Sequence, residues 1–193
     1  MTLLRNNSGL KVRAIREGLC ALLAALCAVL AAPQAARADT PMAFVLPEMA
    51  LRFGTVAVFG SGTRTVTPSG AVSDSGIMPA VGDTPGPARF TVGYDRGNEG
   101  NKSITVVFVI TFGTVPPVSQ GGVSATVTNL TSDLPGASAI VPGQTVQITV
   151  ANCRVRQCAI SFNVGGQINV TSHFGGANLS TPVPVSVTVV SVR

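Results

Sequence analysis

Tryptophan is absent from this chain, tyrosine and histidine occur once each, as Tyr94 and His173, and only 11% of its 193 residues are charged. Each shortage excludes a class of function. A single histidine supplies no histidine-based metal set. A Ser-His-Asp arrangement would have to use His173, which stands between Ser172 and Phe174 in a glycine-rich stretch, and no G-x-S-x-G elbow follows residue 38. Without tryptophan the chain has little from which to build the flat aromatic platform that sugar sites commonly use. Cysteine is as sparse, with only Cys153 and Cys158 beyond residue 38. Their spacing fits neither a C-x-x-C redox pair nor a zinc set. The expectation is a protein that is not an enzyme and that carries no cofactor and no metal.

What is present begins with an address. Lys11, Arg13 and Arg16 precede the apolar run 19–32, and Pro33 and the small-residue site Ala36-Arg37-Ala38 follow it. This is the three-part pattern of a secretory signal peptide over 1–38, cleaved between Ala38 and Asp39. The run is too short to span a bilayer comfortably and no later stretch is long enough, so no membrane span is expected to be retained. Leu19 and Leu26 precede Cys20 and Cys27, where a lipid anchor requires a small residue.

The signal also holds five of the thirteen basic residues and one of the eight acidic ones. That leaves eight positive against seven negative charges, with no clustered basic face for nucleic acid. Export to the periplasm, cell surface or medium places Cys153 and Cys158 in an oxidising compartment, where a disulfide is the expected state.

Beyond residue 38 the abundant Val, Thr, Ser and Gly favour strands and tight turns. Residues 39–48 read as an extended leader. Pro41 and Pro47 exclude a helix there, and Met42, Phe44 and Leu46 recur on one face. A single domain is expected over 49–193. It opens with a strand over 49–59, broken by Gly60-Ser61-Gly62 before a short return over 64–67. A surface loop over 68–87 follows, with one short strand near 71–73. Strands are expected at 88–94 and 103–112, the second apolar enough for a central position, and the segment 123–130 alternates polar and apolar residues.

Segments 144–150 and 159–164 are expected to form a hairpin with the disulfide across its neck. Gly165-Gly166 reads as a turn, 172–182 as a glycine-rich loop, and 183–192 as the last strand. Asp74, Asp83, Asp95 and Glu99 read as solvated turn acids, with calcium as the alternative for Asp95 and Glu99. The phenylalanines read mainly as core. About nine short strands without a helix predict an all-β, antiparallel β-sandwich, with a closed barrel as the rival.

Three segments carry a resemblance. Leu51-Arg52-Phe53-Gly54-Thr55-Val56 looks like an L-x-F-G opening strand, and Ala88-Arg89-Phe90-Thr91-Val92-Gly93 like an A-x-F-x-V-x-G strand. Val164-Gly165-Gly166-Gln167-Ile168-Asn169-Val170, ahead of the valine-rich terminal strand, looks like a G-G-x-L-x-V ending. In this order they resemble a family of small secreted bacterial β-domains of unknown function, similar to spore-coat-U-like and fimbrial-subunit proteins. The resemblance covers most of 49–192. It implies an immunoglobulin-like or pilin-like sandwich and transfers no catalytic residue.

The functional expectation is an exported, non-enzymatic structural or adhesive cell-surface protein, a fimbrial-type subunit. Met42, Phe44 and Leu46 are its candidate donor-strand contacts, for self-assembly or for addition to another surface subunit. The leader either pairs within its own domain or is donated. The alternative is a monomeric periplasmic or secreted binding module that recognises a protein or surface polymer through loops 68–87 and 172–182.

Overall fold

The computed structural model describes residues 40–97, 102–172 and 175–193. The chain divides into a unit of Met1–Ala38 and a unit of Asp39–Arg193, and every described residue belongs to the second. The expected signal peptide, its cleavage residues Ala38 and Asp39, Glu99 and His173 lie outside the described residues.

Among the described residues every regular element is a strand. In chain order these are β1 (Met42–Met49), β2 (Leu51–Val66), β3 (Val72–Pro79), β4 (Ala88–Asp95), β5 (Ile104–Phe112), β6 (Val118–Gln120), β7 (Val123–Ser132), β8 (Ala139–Ile140), β9 (Thr145–Cys153), β10 (Gln157–Ser172), β11 (Gly176–Thr181) and β12 (Val185–Val192). All pairings are antiparallel. β5 is the centre of a three-stranded sheet between β12 and β9, and the other nine strands form the second sheet.

The long strand β10 organises that larger sheet. Its first half pairs with β4 and its second half with β2, while β7 runs along the opposite edge. Val164 stands between Ala88 and Ser132, and Gln167 between Thr65 and Thr128. Gly165-Gly166 is therefore not a turn. The strand passes straight through it because no Cβ fits there: one on Gly165 would lie 2.3 Å from the Val66 carbonyl oxygen. The β7 partner bulges opposite, with Asn129 at φ 50°.

The segment β2 is likewise continuous where a break was expected. Gly60-Ser61-Gly62 lies inside it, and the irregularity appears as a register shift against β3 between Val58 and Thr63. The short strand expected near 71–73 is the start of the longer β3, and the expected loop 172–182 contains β11; the two flank β2 on opposite edges, where Val56 faces Pro79 on one side and Ala177 on the other.

The apolar face of each sheet feeds a common core. β5 contributes Ile110 and Phe112, β9 contributes Val146 and Ile148, and the larger sheet contributes Leu51, Phe53, Phe90 and Phe162. Phe162 joins the two, with its ring centroid 5.6 Å from Phe90 in a stacked pair and 6.1 Å from Phe112 edge-on. Full burial of such a side chain is worth about 1.5–3 kcal/mol. The phenylalanine assignment fails at Phe59, which is 80% exposed.

The expected hairpin of β9 and β10 does not form. β9 pairs with β5 and β10 with β4, so the chain crosses from one sheet to the other between them. The Cys153–Cys158 disulfide, with its Cα atoms 5.8 Å apart, closes that crossover. Both cysteines join Val106 and Phe108 in a second, smaller apolar cluster.

Candidate functional site

The leader is an edge strand of its own domain. β1 pairs with β4 from Met42↔Asp95 to Met49↔Arg89, and the ladder carries past Ala50 into an isolated bridge between Arg52 and Gly86. That bridge has reciprocal backbone bonds of 2.9 Å. The leader and β2 thus form one extended ribbon along the chain that ends in β4. Arg89 Nε meets Glu48 Oε2 at 2.9 Å across the pair, and Thr91 donates its hydroxyl proton to the same carboxylate.

Of the three expected contact residues, Met42 and Leu46 are 60% and 53% exposed and Phe44 is half-buried. Val45, on the alternate face, is the leader residue that packs against the core. Phe44 covers Gly93, where a Cβ would fall 2.5 Å from its ring. The Met42, Phe44 and Leu46 face is therefore mostly turned away from the core.

A second constellation was not legible in the sequence. Arg64, 1% exposed, donates from Nε to Asp74 Oδ1 at 2.6 Å and from Nη2 to Asp74 Oδ2 at 3.0 Å. Its Nη1 donates to the Phe53 carbonyl at 2.6 Å and to Asp83 Oδ2 at 3.1 Å. Asp83 Oδ2 also accepts the Thr55 backbone N–H at 2.8 Å. Asp74 and Asp83 are thus not solvated turn acids. They anchor segment 72–83 to β2, and hydrogen bonding to Asp74 raises the Arg64 pKa above its ordinary value.

The third cluster sits beside the disulfide. Asp95 accepts Arg156 Nε at 3.0 Å and the Gly97 N–H at 2.8 Å through Oδ1, and Gln157 Nε2 at 3.2 Å through Oδ2. The Arg156 bond, followed by those from Gly97 and Gln157, holds its carboxyl below the ordinary carboxylate range. Arg156, in the crossover closed by the disulfide, is thereby tied back to the end of β4.

The outer face of β3, β2, β10 and β7 carries a fourth feature. Cross-strand registers line up Ser73, Thr65, Gln167 and Thr128 in one row and Ser75, Thr63, Asn169 and Thr126 in the next. Ser61, Thr171, Ser124 and Ser119 make a third. Period-two hydroxyl patterns such as Ser61, Thr63, Thr65 and Ser124, Thr126, Thr128 were the available signal, but only the register reveals that they align. A groove of about 410 Å³ lies on this face between Ser61, Thr63, Ser75 and Asn169. An adjoining hollow of about 290 Å³ is lined by Gly60, Gly122, Ser124, Thr171 and Ser172. The buried Ser172 hydroxyl, on the core-facing alternation of β10 with Ile168 and Val170, has no hydrogen-bond partner among the described residues.

Among the described residues no three His, Cys, Asp or Glu side chains are grouped to hold a metal ion, and no helix is long and apolar enough to cross a membrane. No curated protein matches the chain, and no solved structure matches it. One family model does, described as Domain of unknown function (DUF4402), over residues 45–188 from β1 to β12. That stretch takes in all three segments that carried the resemblance, and the chain belongs to this family.

Proposed function

We propose that the protein is an exported, non-enzymatic structural or adhesive component of the cell surface. It is a fimbrial-type subunit, built as an immunoglobulin-like, pilin-like β-sandwich and related to spore-coat-U-like proteins. The observation that carries this reading is the leader. β1 is an edge strand of alternating apolar residues, joined to the body through the single residue Ala50 and held along β4 by backbone pairing. The same ladder is equally available between two copies, since main-chain bonds supply the affinity and alternate side chains the register. The signal-like N-terminus and the disulfide in the crossover support export.

Cross-linking tests the reading. Leu46 and Thr91 face each other in the β1–β4 register. In the exported protein carrying Leu46→Cys and Thr91→Cys, a ladder of bridged multimers on a non-reducing gel supports strand exchange between subunits. Bridging confined to single chains, with one monomer peak at every concentration in size-exclusion chromatography, overturns it and favours the monomeric binding module.

A further inference from the structure

We infer that the outer face of β3, β2, β10 and β7 binds a neutral polysaccharide chain laid along the groove between Ser61, Thr63, Ser75 and Asn169. No Lys, Arg, Asp or Glu stands in the three aligned rows, and the charged neighbours Arg64 and Asp74 belong to the anchor beneath β2 and β3. An acidic or basic polymer finds no counter-charge here, and the rows carry no aliphatic side chain for an apolar ligand. What the surface offers is a lattice of hydroxyl and amide groups that both donate and accept, the same chemistry as a chain of sugar rings.

Rows repeat about every 6.8 Å along the strands and about 4.8 Å across them. Successive rings therefore meet a hydroxyl or amide on each strand they cross. Gly62 and Gly76 take part in the lining and leave backbone accessible at the floor. Gly60, at φ 98° in the adjoining hollow, has nothing within 4 Å of its Cβ position among the described residues.

The inference goes beyond the proposed function and is independent of how subunits assemble.

The test measures retention of the full exported protein on insoluble cellulose, chitin and a mixed-linkage β-glucan, with polygalacturonate as the acidic control. Thr63→Val combined with Asn169→Leu removes polar groups from the groove, and Thr188→Val on β12 is the control substitution. Melting curves establish that each variant is folded. The expected result is saturable retention on at least one neutral polymer, weakened at least tenfold by the groove variant and unchanged by Thr188→Val. No retention on any neutral polymer overturns the inference. So does retention that the groove variant leaves intact, or retention on polygalacturonate alone. Self-association abolished by the groove variant, without polymer retention, assigns the face to contact between copies and also overturns it. The Leu46 and Thr91 cross-link reads strand exchange separately, so the two failures are distinguishable.

Discussion

Arg64 grips Asp74 with two parallel N–H···O bonds, at 2.6 and 3.0 Å, from a position in β2 that is almost wholly buried. The pair crosses from a central strand to its outer neighbour and fixes a segment that composition assigns to a solvated loop. Removing one partner of such a pair leaves the other charge in a poorly solvated site, and that asymmetry governs the outcome. Asp74→Ala is expected to lower unfolding free energy by about 3 kcal/mol in urea titrations. Arg64→Met combined with Asp74→Val and Asp83→Asn, which removes the cation together with both of its carboxylate charges, is expected to cost less than Arg64→Met alone.

The disulfide closes a loop of sequence separation 5, so its chain-entropy contribution is small, about 2 kcal/mol. Paired Cys153→Ala and Cys158→Ala substitutions are expected to lower the thermal midpoint by about 4–8 °C and to leave strand content unchanged in circular dichroism. A loss of the β5–β9 ladder on substitution, seen as rapid amide exchange in β9, would mean that the crossover is needed to seat the smaller sheet.

Gly165 tolerates no side chain. Its Cβ position lies 2.3 Å from the Val66 oxygen and 2.7 Å from the Thr67 carbonyl carbon, both backbone atoms that cannot rotate away. Gly165→Ala is expected to destabilise the protein by about 1–3 kcal/mol. Gly82→Ala is the informative contrast. It meets nothing within 4 Å but has φ 79°, so its cost is conformational alone, about 1 kcal/mol.

Asp95 gives a pH signature. Its folded-state pKa is lowered, chiefly by the bond from Arg156, so its contribution is present above the ordinary carboxylate pKa and is lost as pH falls through the lowered one. The difference in thermal midpoint between the wild type and Asp95→Asn is expected to be constant above about pH 5 and to shrink below about pH 4. A difference that persists unchanged into strong acid would show that the Arg156 contact contributes nothing to the folded state.

Period-two alternation and β-branched composition sufficed for the all-β class and for the central position of β5. Local pattern carries no information on which strand lies next to which. The segments around Cys153 and Cys158 therefore read as a hairpin although they belong to different sheets, and Gly165-Gly166 read as a turn although close backbone approach is what demands those glycines. The Arg64 anchor escaped for a related reason: Asp74 and Asp83 lie ten and nineteen residues from it, in a stretch whose Gly and Pro content signals only irregular chain. The hydroxyl rows were visible as three separate alternations, and only the cross-strand register turns them into a surface.

The unbroken passage of the leader into β2 has a mechanical consequence. A tug on the N-terminus directed along β1 loads the backbone bonds from Met42↔Asp95 to Met49↔Arg89 in shear, together, instead of peeling them singly. Tension that outlasts this clamp is handed directly to β2, which Arg64 bolts to β3, so the most deeply anchored strand of the larger sheet is also the one in line with the load.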